Sequence, residues 1–276
     1  MGKKIIVNVL RFLGVIVLTA VLWLSVIALD NREIVNDLQV IFAGTQQDAD
    51  CIILLNEDHC VLVDTGEQAD GEHIAELLFA NGVEQIDSII LTHPDQDHIG
   101  GAFYILDHFK VGQIVAPYFG GEKQLYRDLL LKLEEIRVPI QTLSRDRLYT
   151  YGDVDVRVFS PEKFYYKESN EYSLAVLVEH GENAFFLAGD AQGERIDELM
   201  KVTLPQIDVY KAARHGRDSD KGLMLLEKVC PEYAVVTAAA PERETEALLS
   251  QLGAEVYITI GQNHTFISNG KFLEIQ

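Results

Sequence analysis

Four side chains that can bind a metal ion lie within six consecutive residues: His93, Asp95, Asp97 and His98. They directly follow a short apolar segment, Asp87–Thr92, which is typical of a β-strand. A loop that leaves a strand end can turn alternate side chains toward one point. Histidine and carboxylate ligands together suit zinc, manganese or iron(II). Without a cation these carboxylates would repel one another, so we interpret the segment as a metal site and not as a solvated polar loop.

The spacing His93-x-Asp95-x-Asp97-His98 resembles the first metal motif of the metallo-β-lactamase superfamily, which is usually His-x-His-x-Asp-His. The aspartate at the third position is similar to the branch that contains the extracellular domain of ComEC, a competence DNA-uptake channel protein. Phosphorylcholine esterases have a similar metal motif. The resemblance extends to five further segments, namely Leu38–Val40, then Gln46 with Asp48 and Ala49, Asp64–Gly66, Phe186–Asp190, and Asp208–Lys211 leading to His215 and Gly216.

The resemblance implies two metal sites that share one bridging residue. Site one is His93 and Asp95, and site two is Asp97, His98 and His215. Asp190 bridges the two ions, which are zinc by preference and manganese as an alternative. Two such dications ~3.5–4 Å apart generate hydroxide for attack on the substrate.

Asp64 is expected to accept a hydrogen bond from a ligand histidine and not to bind the metal itself. Asp97 and Arg214 are the residues that we assign to catalysis. Arg214 stands where the family has the first histidine of a His-His-Gly motif. An arginine cannot donate a proton near neutral pH, but its planar guanidinium can bind a phosphate or carboxylate.

The resemblance also shows a missing ligand at site one. The segment that matches the third histidine of site one, Asn170–Ser173, contains no histidine. We therefore expect Asp97, His98, Asp190 and His215 to form the tighter site.

Apolar segments with strand and helix spacing surround these motifs. Strands are predicted at 38–43, 51–55, 60–64, 87–92, 207–210, 233–236, 255–259 and 265–267, with a hairpin at 174–178 and 184–188. Helices are predicted at 72–80, 122–137, 193–201, 221–229 and 242–252. This α/β mixture predicts a four-layer αββα sandwich, the metallo-β-lactamase fold, as one hydrolase domain at 38–276.

The first thirty residues differ from the rest of the chain. Residues 12–29 carry no charge, and eighteen helical residues reach ~27 Å, about the thickness of a bilayer core. Residues 1–30 therefore predict a basic cytoplasmic stub and one transmembrane helix, followed by a polar neck at 31–37. A cleaved signal peptide remains an alternative. Basic residues precede the span and acidic residues follow it, which predicts a single-pass membrane protein with an extracellular catalytic domain.

The formal net charge of −20 disfavours a general nucleic-acid-binding module. The three cysteines are too few for a disulfide framework, and we expect all of them to be buried thiols. His59, His73, His108 and His180 lack ligand spacing, and we expect them at the surface.

These features predict a membrane-anchored, metal-dependent hydrolase that acts outside the cytoplasmic membrane. The aspartate-rich ligand set and Arg214 favour a phosphoester, as a phosphodiesterase or nuclease substrate. That substrate is a small anionic molecule, a cell-envelope phosphate or a nucleic acid. Two alternatives stay open: a hydrolase of β-lactams or other cyclic amides and esters, and a metal-binding accessory protein that has lost activity.

Overall fold

The computed structural model of the protein describes residues 36–217 and 220–276. Within them, Asn36–Gln276 form one compact unit. The predicted anchor at 1–30 and the first part of the neck, 31–35, lie outside the described residues. In the part of the chain that is described, no helix is both long and apolar enough to cross a membrane.

Two mixed β-sheets form the centre of the fold. The first sheet has eight strands in the spatial order β15-β14-β1-β2-β3-β4-β5-β6. In chain order these are Leu38–Phe42 (β1), Ile52–Asn56 (β2), His59–Val63 (β3), Gln85–Ile90 (β4), Lys110–Pro117 (β5), Ile140–Leu143 (β6), His264–Ser268 (β14) and Leu273–Ile275 (β15). Strands β3 to β6 run parallel, and the others pair antiparallel.

The second sheet has seven strands in the order β13-β12-β11-β10-β9-β8-β7. They are Arg147–Tyr151 (β7), Val154–Phe159 (β8), Ala175–His180 (β9), Asn183–Leu187 (β10), Val209–Lys211 (β11), Tyr233–Val236 (β12) and Glu255–Ile258 (β13). Strands β10 to β13 run parallel, and β7 to β10 antiparallel.

Among the described residues, seven α-helices accompany the sheets: Gly71–Ala80 (α1), Gln96–Ile99 (α2), Ala102–His108 (α3), Gln124–Ile136 (α4), Gly193–Leu199 (α5), Asp220–Val229 (α6) and Arg243–Leu252 (α7). Side chains such as Val156 and Phe185 of the second sheet and Phe266 of the first pack together in one buried cluster between the sheets. Separate clusters lie beneath the helices on the outer face of each sheet. The fold is therefore a four-layer α/β sandwich, and its central strands are apolar because both of their faces are covered.

Two expectations about buried residues were wrong. Cys51 and Cys60 are buried free thiols, but Cys230 is exposed at the end of α6. His180 was expected at the surface and is instead fully buried. Its Nδ1 lies 2.8 Å from the Ser268 hydroxyl, so this histidine joins β9 of the second sheet to β14 of the first.

Candidate metal centre

The chemically active side chains follow the carboxyl ends of parallel strands. Asp64 comes directly after β3 and His93 shortly after β4, both in the first sheet. Asp190 and His215 follow β10 and β11 of the second sheet. Because parallel strands end at a common edge of their sheet, and the two sheets face each other, these loops meet.

Four of the predicted ligands form one compact cluster. Asp97, His98, Asp190 and His215 each offer a ligand atom within 4.8 Å of the others. His215 Nε2 lies 3.2 Å from Asp97 Oδ2 and 3.4 Å from Asp190 Oδ2. His98 Nε2 lies 3.4 Å from Asp190 Oδ1 and 3.6 Å from Asp97 Oδ2. These atoms surround a space in which one dication can contact all four residues.

Buried polar groups at the Nδ1 side of the His98 ring, opposite the Nε2 that faces the cluster, fix the orientation of the ring. Its Nδ1 lies 2.8 Å from Asp64 Oδ2, which accepts a hydrogen bond from it. Asp64 also accepts hydrogen bonds from the backbone N–H and hydroxyl of Thr92, both at 2.7 Å. Asp64 thus occupies the place that its expected orienting role requires, and it leaves Nε2 of His98 free to face a metal.

The ring of His215 is held in a similar way. Its Nδ1 lies 2.9 Å from the Thr237 hydroxyl and 3.2 Å from Asp50 Oδ1. Thr237 in turn donates to Asp50 at 2.7 Å. The backbone of His215 is left-handed (φ 59°), as are those of Arg214 (φ 48°) and Asp64 (φ 60°). Such backbone is uncommon for non-glycine residues, and it is retained where it directs side chains into a site.

The cluster needs positive charge. Burial disfavours the charged form of His98, but the carboxylates of Asp64 and Asp190 outweigh it and raise the pKa of His98 well above its ordinary value. Burial also disfavours the charged form of His215, but the carboxylates of Asp190 and Asp50 outweigh it and raise the pKa of His215 to about 10. Despite burial, His215 and His98 hold the pKa of Asp190 well below its ordinary value. A dication would compete with protons for these positions, so we expect metal affinity to rise with pH.

Unsatisfied atoms show that the cluster fits a metal. His93 Nε2, His98 Nε2 and Asp190 Oδ1 are buried and have no hydrogen-bond partner among the described residues. A buried polar atom without a partner is costly, and such atoms are rare in folded proteins. A cation within this space would satisfy the two atoms of His98 and Asp190 together.

A sequence model of the metallo-beta-lactamase superfamily matches residues 44–236. The chain belongs to this superfamily. Its fold and its Asp/His cluster support metal-dependent hydrolysis.

Two curated relatives identify the branch. ComE operon protein 3 of Bacillus subtilis (strain 168) is 33% identical over 168 residues, which are 60% of this chain and 22% of that protein. Recombination protein 2 of Haemophilus influenzae (strain ATCC 51907 / DSM 11121 / KW20 / Rd) is 27% identical over 182 residues, which are 64% of this chain and 21% of that protein. The resemblance to the ComEC branch is therefore confirmed, over about a fifth of the length of these relatives.

A solved structure shows the same fold. The metallo-beta-lactamase fold protein YhfI from Bacillus subtilis has a TM-score of 0.57 at 12% sequence identity. The likeness covers 85% of this chain and 100% of that one. At this level of identity it supports the fold alone.

The two residues of site one are arranged differently from those of site two. His93 Nε2 lies 3.7 Å from Asp95 Oδ1, so the two side chains face each other. Burial, followed by the neighbouring charge of His98, lowers the pKa of His93 to about 4, which keeps the imidazole neutral as a metal ligand requires. Asp95 contacts the ammonium of Lys123 and accepts a hydrogen bond from the Ser169 hydroxyl at 3.0 Å.

Arg214 directly precedes His215 in the chain and has no carboxylate partner within ion-pair distance among the described residues. Its side chain is partly exposed, and Nη1 donates to the carbonyl oxygen of Arg217 at 3.1 Å. Its Nε is buried without a hydrogen-bond partner among the described residues. The guanidinium can therefore accept an additional anionic partner.

Two charged residues at the base of the centre received no role from the sequence, although Lys211 lies in a segment on which the resemblance rests. Asp50 and Lys211 are 1% and 0% exposed, and they form an ion pair with each other. Lys211 also donates to the Gly189 carbonyl oxygen at 3.2 Å. Asp48, which lies in one of the segments on which the resemblance rests, pairs instead with Arg217 at the surface. The available signal was a lysine within the otherwise apolar segment 209–213, since a charge there is buried only when it is paired.

Proposed function

We propose that this protein is a metal-dependent phosphodiesterase whose metal ligands are Asp97, His98, Asp190 and His215, with His93 and Asp95 at a second, weaker position. The observation that carries the proposal is the set of buried and unsatisfied nitrogen and oxygen atoms directed at one space. Dications bound there supply Lewis acidity and lower the pKa of a water ligand.

The exposure of the cluster members assigns them different roles. Asp97 has a side chain that is 29% exposed, whereas those of His98 and His215 are 0% and 3% exposed. Asp97 is therefore the most accessible of these three ligands, and its carboxylate can orient the attacking water. The buried histidines act as fixed ligands, because Asp64, Thr237 and Asp50 restrain their rings.

The substrate class follows from charge. Arg214 directly precedes His215 in the chain, and Lys123 contacts Asp95. Guanidinium and ammonium groups both bind phosphate oxygens. The formal net charge of −20 opposes the approach of a long polyanion. A small phosphodiester or a cell-envelope phosphodiester therefore fits better than a nucleic acid.

The proposed location is the outer face of the cytoplasmic membrane. The uncharged run at 12–29, with basic residues before it and acidic residues after it, supports a retained single-pass anchor with the hydrolase domain outside.

Metal analysis followed by a substrate screen tests the function. Protein loaded with zinc or manganese is assayed on bis-p-nitrophenyl phosphate, p-nitrophenyl phosphorylcholine, plasmid DNA and nitrocefin. We expect turnover of a phosphodiester and none of nitrocefin. Turnover of nitrocefin alone would support the cyclic amide alternative, and absence of any bound dication would exclude the proposal.

The variant His215→Ala connects metal binding to activity. We expect it to lower metal content and activity together, and to lower activity by more than about 100-fold. Removing a residue that only hydrogen-bonds to a metal ligand already lowers metal affinity or activity by about 10- to 100-fold, and His215 is itself a proposed ligand. His108→Ala is the matched control, since His108 is exposed on α3. Full activity in a His215→Ala protein that holds no metal would contradict the mechanism.

A further inference from the structure

Every oxygen of the Asp95 carboxylate already has a partner from the chain. Lys123 Nζ forms an ion pair with Oδ1, and the Ser169 hydroxyl donates to Oδ2 at 3.0 Å. Lys123 Nζ also lies 3.2 Å from the same Ser169 hydroxyl. Lys123 directly precedes α4 and Ser169 begins a short 3-10 helix, so two segments distant in sequence meet at Asp95.

The Asp97 carboxylate of site two has no such partner. Within residues 36–217 and 220–276, the ion-pair partners of Asp97 are the two ligand histidines, His98 and His215. No lysine or arginine of these residues lies within ion-pair distance of Asp97. The two aspartates of one motif therefore differ: Asp95 is neutralised by the chain, whereas Asp97 is open to an external cation.

We propose that Lys123 serves as the cation of site one, so that the protein binds one dication tightly at site two and a second only when Lys123 leaves Asp95. This inference rests on the proposed function, because it assumes that site two binds a metal. It names a residue that sets the number of bound ions.

Two cations, Lys123 and a metal ion at site one, compete for the carboxylate of Asp95. A dication placed between His93 and Asp95 would lie close to the ammonium of Lys123, and the two positive charges repel each other. Binding would also break the contacts of Lys123 with Asp95 and Ser169. The Lys123 side chain is 33% exposed, so it can turn toward solvent. The second ion therefore binds only at the cost of displacing Lys123 from Asp95. At site two, Lys211 lies 3.7 Å from Asp190 Oδ1, but its ammonium is already paired with Asp50 and need not be displaced.

Metal stoichiometry tests this inference without reference to activity. Metal-free full-length protein is titrated with Zn²⁺ alone, and separately with Mn²⁺ alone, by calorimetry and by elemental analysis after dialysis. We expect one tight ion per wild-type chain and a second ion bound at least about tenfold more weakly. Lys123→Met is expected to strengthen the second binding step by about tenfold or more.

Three further variants separate a charge effect from a structural one. Lys123→Arg keeps the charge and should keep the second ion weak. Asp95→Asn in the Lys123→Met background should abolish the gain. Lys132→Met removes another lysine of the same helix region, one that pairs with Asp107 away from the site, and should behave as wild type. Lys123→Gln replaces Lys123→Met if that protein does not fold by circular dichroism.

The outcomes distinguish this inference from the proposed function. Two ions of equal affinity in the wild type would overturn the role of Lys123 and leave the function standing. An unchanged second step in both Lys123→Met and Lys123→Gln would do the same. A protein that binds no dication in any of these variants would overturn the proposed function itself.

Discussion

Arg214 combines three properties that are seldom found in one residue. It precedes a ligand histidine, its backbone is left-handed (φ 48°), and its Nε is buried without a partner among the described residues. A left-handed non-glycine backbone costs free energy, and so does an unsatisfied donor. An anionic substrate would satisfy the donor, so the arrangement suits a group that completes its contacts only when the substrate binds.

Arg214→Lys is therefore expected to lower kcat/KM by about 10- to 100-fold, because an ammonium cannot form the planar two-point contact of a guanidinium. Metal content should not change. Arg214→His introduces a group that titrates near neutral pH, and we expect an altered pH profile. Steady-state kinetics with elemental analysis measures both. Arg243→Lys, an exposed position at the start of α7, is the control, and equal kinetics in all four proteins would show that Arg214 does not contact the substrate.

At the scale of elements, the ion pair of Asp50 and Lys211 joins the two sheets beneath the metal centre. Asp50 lies two residues before β2, and Lys211 ends β11. Both are almost fully buried, and burial of a charge is tolerated only when it is paired. Removal of one member takes the nearest opposite charge from the other: Asp50 would keep the contacts with Thr237 and His215, and Lys211 would keep Asp190 at 3.7 Å.

Lys211→Met is expected to destabilise the metal-free protein by about 3–5 kcal/mol, the usual cost of breaking a buried ion pair. Replacing Asp50 by Leu in the same protein should recover part of this loss, because no charge is then left unpaired. Urea denaturation measures the free energy of unfolding. The exposed pair of Lys132 and Asp107 gives the control Lys132→Met, and a loss no larger than that of the control would mean that the pair does not stabilise the fold.

The elements that the sequence predicts well are those with uniform burial. Strands β1, β2 and β3 are predicted within one residue of their observed ends because they are nearly continuous apolar runs. Strands β5, β6, β7, β8 and β15 were not predicted, and all five residues of β7 are exposed or half-buried. Asp50 was missed for a different reason: its importance depends on Lys211, which is distant in sequence, and no local pattern records such a contact.

At the scale of the whole molecule, His180 makes the free energy of unfolding depend on pH. It is fully buried, lies 2.8 Å from the Ser268 hydroxyl and faces Asp153 at 3.6 Å. Burial lowers the pKa of His180, and Asp153 only partly opposes this. The unfolded chain therefore binds a proton here more readily than the folded chain, so this contribution to stability is complete above about pH 6.5 and is lost as the pH falls.

Comparison with His180→Asn isolates this effect, because the contributions of other titratable groups cancel. Asn offers an amide in the place of Nδ1, so it can keep the contact with Ser268. Between pH 7.5 and pH 5.5, wild type should lose more stability than the variant, by at most about 1.4 kcal/mol per pH unit, the limit for one proton. Denaturant titrations at the two pH values measure the difference, and identical pH slopes would show that His180 is not titrated on unfolding.

The proposed orientation of the chain in the membrane also rests on charge. Residues 1–30 contain three basic residues and one acidic residue, so the remainder carries a formal charge of about −22. Lys3, Lys4 and Arg11 precede the uncharged run, and the positive-inside rule keeps such residues in the cytoplasm.

Protease added to intact protoplasts is expected to digest the hydrolase domain while a cytoplasmic marker protein survives. Changing the three basic residues to glutamate should reverse or abolish this orientation and protect the domain. Full protection of the wild-type domain would instead place it in the cytoplasm, and its substrate would then have to be an intracellular phosphodiester.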